Sequence, residues 1–175
     1  MVSFLFNILI TLVSLVLCCL LSLASLPGTE LLGVTPYWLL IWLITWSLPR
    51  SIWHGAIAGV AVGWIYDGLS VGNTSHVFSL VIVGVLTASL NRDRYLEDDV
   101  ASIALIVFIM TAIAQTIFAV QSSLLTINLG GGLWVQAWRD YLRIIMTSAL
   151  ITSLWSPAIY LPLNFWWHKA LKLDD

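Results

Sequence analysis

The chain has 175 residues, of which 60% are hydrophobic and only 9% are charged, and its mean hydropathy is +0.97. A typical soluble domain carries about 25% charged residues. So few charges cannot cover a water-exposed surface, and the composition favours lipid as the solvent. The net charge is −2 and the sequence has no basic patch, which argues against a nucleic-acid partner.

Turn signals and charges divide one domain, residues 1–175, into six predicted transmembrane helices. The predicted spans are about 4–26, 31–48, 51–68, 75–90, 100–125 and 139–164. The first apolar core exceeds the roughly 7–15 residues of a signal peptide, the main alternative, so we expect a retained helix. The tight turn at Pro49 predicts an antiparallel hairpin of spans two and three, and Pro36 is a candidate first-turn proline of span two.

The positive charges predict the orientation, with both termini in the cytoplasm. This topology puts five of the seven basic residues inside and two outside; the inner set is Arg50, Arg92, Arg94, Lys169 and Lys172, and the outer set is Arg139 and Arg143. The polar loop 91–99 then faces the cytoplasm, and a solvated loop is favoured there over a docking site.

The tryptophans are consistent with aromatic belts at the two membrane interfaces. We expect Trp38, Trp64, Trp134 and Trp138 near the outer interface, and Trp46, Trp53, Trp166 and Trp167 near the inner one. Trp42 and Trp155 do not fit either belt, and we expect them to pack inside the bundle.

The third predicted span contains the most informative pattern. Gly55, Gly59 and Gly63 recur every fourth residue and therefore line one helical face, which permits close packing of another helix. Asp67 continues that stripe near the end of the span. A carboxylate there is costly unless it is paired or hydrated, so three alternatives stay open: it caps the following turn, pairs with Arg139 or Arg143, or binds a ligand or ion.

Arg139 and Arg143 are four residues apart and share a face of the sixth span, where they either extend towards the membrane surface or make a specific pair. Histidines and carboxylates do not occur at metal-ligand spacing, and phosphate-binding or Ser–His–acid patterns are missing. The sequence therefore predicts a protein that is not an enzyme and that uses no metal or cofactor.

Three consecutive segments carry a resemblance to a known family: Gly33–Leu40, the turn Leu48–Arg50, and Gly59–Ser75. They resemble the rod-shape-determining membrane protein family MreD over about residues 33–90. The family has a proline opening its second span, a glycine-rich third span ending in aspartate, and a glycine turn. The matching positions are Pro36, Gly59, Gly63, Asp67 and Gly72. Further structural positions are Pro49 in the hairpin turn, Gly68 after the aspartate and Pro157 in the last span.

The resemblance implies a non-catalytic inner-membrane component of the bacterial cell-elongation machinery, which supports lateral peptidoglycan synthesis and rod shape. It implies MreC as the direct partner, with MreB, RodA and a class B transpeptidase in the wider complex. The family is similar in architecture to the S components of energy-coupling-factor vitamin transporters. The implied fold is therefore an all-α, S-component-like membrane bundle, and a substrate-binding S component is the alternative function.

Short external loops mean that a partner must be met within the membrane or at its outer rim. A glycine ridge suits a close helix contact, and charged groups at the rim suit polar anchors. The candidate partner-binding residues are Gly55, Gly59, Gly63, Asp67, Arg139 and Arg143.

Overall fold

The computed structural model of the protein describes residues 2–24, 33–70, 74–90, 100–126 and 134–171. Within these ranges the chain forms six helices and no strand, so the predicted all-α class is confirmed. The helices are α1 (Val2–Leu23), α2 (Trp38–Ser47), α3 (Ile52–Leu69), α4 (Val77–Ser89), α5 (Val100–Thr126) and α6 (Trp134–Leu171). Each helix falls on one of the six predicted segments.

The short helix α2 is the centre of the bundle. Nine of its 10 residues are buried, and it contacts each of the other five helices. A helix that is apolar on all sides is stable only when all sides are covered. Two hydrogen bonds hold it to its neighbours: Trp42 Nε1 donates to Ser14 Oγ of α1 at 2.8 Å, and the backbone N–H of Tyr37 donates to Thr152 Oγ1 of α6 at 3.1 Å.

Helix α2 is shorter than its predicted span, which began at about residue 31. Gly33 has a φ of +78°, a left-handed conformation that favours glycine. Pro36 lies two residues before the first helical residue, and its carbonyl accepts a hydrogen bond from the backbone N–H of Trp38 at 3.0 Å. The proline thus precedes the helix instead of forming its first turn.

Helices α3 and α4 form an antiparallel hairpin in which the two backbones are in contact. A Cβ added at Gly59 would lie 2.6 Å from Val81 Cα, and one at Gly63 would lie 2.5 Å from Val77 Cα. At the other end of the hairpin a Cβ on Gly55 would meet the backbone of Gly84, and the reverse also holds. Any side chain at these positions would push the helices apart.

Helix α6 has 38 residues and continues through two prolines, Pro157 and Pro162. A proline inside a helix lacks the N–H that would bond to the carbonyl four residues earlier. For Pro157 that carbonyl belongs to Ser153, and it accepts a hydrogen bond from Ser156 Oγ at 2.8 Å. The neighbouring hydroxyl replaces the missing backbone donor, as serine does in membrane helices.

Two stretches of the described chain, Val100–Leu124 in α5 and Tyr141–Leu163 in α6, are long and apolar enough to cross a membrane by length and composition. The outer faces of the helices are strongly apolar. Leu9 and Val13 of α1 and Leu154 of α6, for example, are 57%, 59% and 77% exposed.

Among the tryptophans whose side chains the structure describes, Trp38 differs from the predicted placement. Trp53 and Trp64 of α3 are exposed, as residues at an interface should be, and Trp42 is buried in the bundle as expected. Trp38 was placed at the outer interface, and this was wrong: only 4% of it is exposed, because it belongs to the fully enclosed helix α2 and packs edge-on against Trp155 at 5.5 Å.

Replacing Gly59 with alanine should destabilise the fold. The added methyl group would lie 2.7 Å from the Leu80 carbonyl oxygen as well as against Val81, and overpacking of this kind costs about 1–3 kcal/mol. Thermal unfolding in mild detergent, followed by circular dichroism, measures the change.

Gly68→Ala is the matched control, because an added Cβ at Gly68 meets nothing within 4 Å. Alanine is favoured over glycine in helices, so this variant should melt at or slightly above the wild-type temperature. Equal melting temperatures for the two variants would contradict the close backbone contact.

Candidate functional site

The glycine stripe of α3 is covered by α4 of the same chain. Gly55, Gly59 and Gly63 are all buried, and each lies against the α4 backbone. The close helix contact that the four-residue spacing indicates is therefore made within the molecule. In this conformation the ridge is not an open surface for a second protein.

Asp67, the next residue on that stripe, caps the amino-terminal end of α4. Its Oδ1 accepts a hydrogen bond from the backbone N–H of His76 at 2.7 Å, and its Oδ2 accepts one from Ser75 Oγ at 2.6 Å. The first N–H groups of a helix have no partner inside the helix, and a carboxylate there also faces the positive end of the helix dipole. Of the three alternatives for Asp67, the capping role is the one present in the structure.

The His76 side chain reinforces this cap. Its Nδ1 lies 3.0 Å from Asp67 Oδ1, and because a carboxylate only accepts, this hydrogen bond places a proton on Nδ1. The imidazole stacks on Phe118 of α5 with 4.2 Å between ring centroids and meets the edge of Tyr66 at 4.5 Å. The cap thereby joins the α3–α4 hairpin to α5.

Arg139 and Arg143 are exposed on α6. Among the described basic side chains, only His76 lies within 4 Å of the Asp67 carboxylate, and neither arginine does. The predicted pairing alternative for Asp67 is thus not made, and both guanidinium groups face outward at the amino-terminal part of α6.

The turn between α2 and α3 contains Pro49 and is closed by backbone and side-chain hydrogen bonds. The N–H of Arg50 donates to the Ser47 carbonyl at 3.0 Å. Its guanidinium donates to the Trp46 carbonyl at 2.6 Å and lies 3.9 Å from the centroid of the Trp46 ring, as in a cation–π contact. Burial lowers the pKa of the Arg50 guanidinium from its ordinary value.

The remaining predicted motif positions take no part in the Asp67 cap. Gly68 is an exposed residue in the last turn of α3, and Pro157 lies inside α6. Gly72 and the loop 91–99 lie outside the described residues.

Several residues of the site were not identified from the sequence. Gly84 meets Gly55 across the hairpin, but a single glycine in an apolar segment carries no periodic signal. Ser75 and His76 follow Asp67 by eight and nine residues, and the sequence signal that could have found them is their position just before a helix. Phe118 is far along the chain and reaches the site only through tertiary packing.

The Asp67 arrangement has a structural role: it holds the beginning of α4 against the end of α3. Among the described residues, no group of three or more histidine, cysteine, aspartate or glutamate side chains lies close enough to hold a metal ion. The Asp67 oxygens are used by Ser75 and His76, both on the chain that follows.

Comparison of the chain with protein-family models, with curated proteins and with solved structures finds no match.

Removing the carboxylate should loosen the hairpin. Asp67→Ala leaves the N–H of His76 and the Ser75 hydroxyl without their acceptor, and loss of a helix cap costs about 1 kcal/mol, within a range of about 0.5–2. We expect a lower melting temperature in detergent and faster amide hydrogen exchange in the first turn of α4.

Asp67→Asn separates the cap from the charge, since asparagine keeps one acceptor oxygen for the His76 N–H. Its stability should lie between wild type and Asp67→Ala. If all three proteins exchange at the same rate in α4, the cap makes no contribution to stability.

Proposed function

We propose that the chain is a non-catalytic component of the bacterial cell-elongation machinery, of the MreD type, which resides in the inner membrane and binds MreC. The observation that supports the proposal is that the α3 residues matching the family all stabilise the same element, the α3–α4 hairpin. Gly59 and Gly63 allow α3 and α4 to touch, and Asp67 closes the same hairpin. The resemblance therefore rests on residues with a shared physical role.

The proposal includes six membrane crossings with both termini in the cytoplasm. Helices α2 and α4 have 10 and 13 residues, which correspond to about 15 Å and 20 Å, against about 30 Å of hydrocarbon. A helix must span the full hydrocarbon thickness only where its backbone faces lipid. Non-helical backbone at membrane depth is tolerated where protein covers it. Since α2 is enclosed by the other helices, extended chain at its ends is compatible with a crossing.

Reporter fusions test this topology. An alkaline phosphatase fused after residue 72 or 130 should be active, since it lies outside, and a fluorescent protein fused after residue 50 or 95 or at the carboxyl terminus should be bright, since it lies inside. The fusion at residue 72 is decisive, because with residues 50 and 95 inside only a chain that crosses with both α3 and α4 places it outside. A phosphatase that is inactive there, with residues 50 and 95 inside, would remove α3 and α4 from the membrane crossings and contradict the six-span topology.

The partner surface has to use groups that the fold leaves exposed. The glycine ridge and Asp67 are committed to α4, whereas Arg139 and Arg143 are exposed and one helical turn apart. On the proposed topology they lie at the outer rim, where the segment of MreC that follows its membrane helix would begin. We assign the polar part of the MreC contact to these two arginines.

Charge reversal at both arginines should weaken MreC binding. The double variant Arg139→Glu/Arg143→Glu replaces attraction to an acidic segment of MreC with like-charge repulsion, and since juxtaposed like charges cost several kcal/mol, we expect MreC affinity to fall by about tenfold or more. Co-purification from native membranes in mild detergent measures the ratio of MreC to the tagged chain.

Arg139→Lys/Arg143→Lys is the control, since it keeps the charge and the length of the side chains. It should retain most of the MreC, with unchanged thermal stability in both variants. Wild-type recovery of MreC by the glutamate variant would exclude the arginines as anchors. Recovery of a transporter coupling subunit with ATPases by the wild type, without MreC, would contradict the proposed function and favour the S-component alternative.

A further inference from the structure

A cavity of about 400 Å³ opens at one end of the bundle. It lies where α1 and α3 end and where α2 begins, with the extended segment 33–37 along one side and with residues from the middle of α5 and the first half of α6 in its lining. Ligand pockets in proteins typically measure about 300–1,000 Å³. The space is therefore large enough for a small molecule and is distinct from the Asp67 cap.

The described lining of the cavity is mixed in polarity and carries no charge. Seven neutral hydrogen-bonding side chains contribute to it: Ser22, Thr35, Tyr37, Tyr66, Ser70, Gln115 and Ser148. Aspartate, glutamate, lysine and arginine are missing from the described lining. An ionic ligand would meet no opposite charge among these described side chains, and an unpaired charge in such a site is unfavourable.

Two aromatic rings form part of the apolar wall, together with Leu23, Val34, Pro36, Leu69 and Ile144. Tyr37 and Tyr66 both line the cavity, and their rings meet edge to face with 4.7 Å between centroids. Rings beside hydroxyl and amide groups form a surface with both apolar and polar character. A ligand that fits it has an apolar frame bearing hydroxyl or carbonyl groups.

Two polar groups at the cavity lack strong partners. The Tyr37 hydroxyl is buried, with the residue only 6% exposed, and its interaction with the Tyr66 side chain does not reach hydrogen-bond geometry. Buried polar groups are rarely left without a partner, and each exception needs a reason. Gln115 Nε2 donates only a long hydrogen bond, 3.4 Å, to Ser148 Oγ.

We propose that this cavity is a binding site for a neutral small molecule that carries hydroxyl or carbonyl groups on an apolar frame. Gln115 and Ser148 bind its polar groups, and the rings of Tyr37 and Tyr66 cover its apolar face. The chemistry fits an uncharged lipid headgroup as well as a free neutral solute. The site does not depend on MreC and adds a ligand to the proposed function.

Native mass spectrometry of the full chain tests the site. The protein is purified from its native membranes in a detergent of known mass, and bound species are released and identified. We expect one neutral molecule per chain. Partition of the released molecule into chloroform identifies a lipid, and partition into water identifies a solute.

Ser22→Phe should displace the occupant by filling the cavity from α1, and Ala24→Phe is its matched control, because Ala24 is exposed and does not line the cavity. We expect at least a fivefold fall in the occupied fraction for Ser22→Phe and no change for the control. Gln115→Met keeps the side-chain length but removes the amide, and it should lower occupancy without filling the space. This variant preserves the test if Ser22→Phe does not fold.

A bound neutral species that is lost from Ser22→Phe or Gln115→Met and retained by Ala24→Phe supports the proposal. Three results would overturn it. These are a wild-type protein that carries only detergent, a bound species with a net charge, and equal retention by every variant that folds.

Discussion

The contact between the backbones of α3 and α4 is the interaction on which the rest of the structure depends. Glycine is present on both sides at the tightest point, where Gly55 faces Gly84, so the two backbones meet there with no side chain between them. The contact fixes the register of the hairpin. With Gly63 against Val77, the next turn of α3 brings Asp67 to the first residues before α4. The cap is a consequence of the register, and His76 then carries the constraint to Phe118 on α5.

The second constraint is the enclosure of α2. Its 10 residues are too few to line the whole height of the bundle, so other chain segments must occupy the space beyond its ends. At the amino-terminal end that space is bordered by the extended residues after Gly33, and it is not completely filled. The cavity thus arises from the late start of the helix. A longer α2 beginning at residue 31 would have placed helical backbone where the cavity wall now lies.

For the described residues, the sequence predicted the number and order of the helices well, because apolar runs separated by prolines, glycines and charges are a strong signal in so apolar a chain. It also predicted a close contact at Gly55, Gly59 and Gly63, but not the helix that makes it. A small-residue stripe has the same spacing whether its partner is in the same chain or another one. The placement of Trp38 was wrong for a related reason. A position in an aromatic belt assumes a helix that faces lipid, and Trp38 lies on a helix that is covered by its neighbours.

Asp67 illustrates why local geometry changes the functional argument. From the sequence, an aspartate at the rim of a membrane helix is equally suited to a partner's positive charge and to its own chain. Once both carboxylate oxygens are used in capping α4, loss of partner binding in an Asp67 variant no longer implies a direct contact. The same loss follows if the hairpin shifts and moves the exposed surface. Measuring partner binding together with hydrogen exchange in α4 distinguishes the two roles of Asp67. If Asp67 contacts the partner directly, its replacement lowers binding without accelerating exchange. If Asp67 acts by capping α4, its replacement lowers binding and accelerates exchange together.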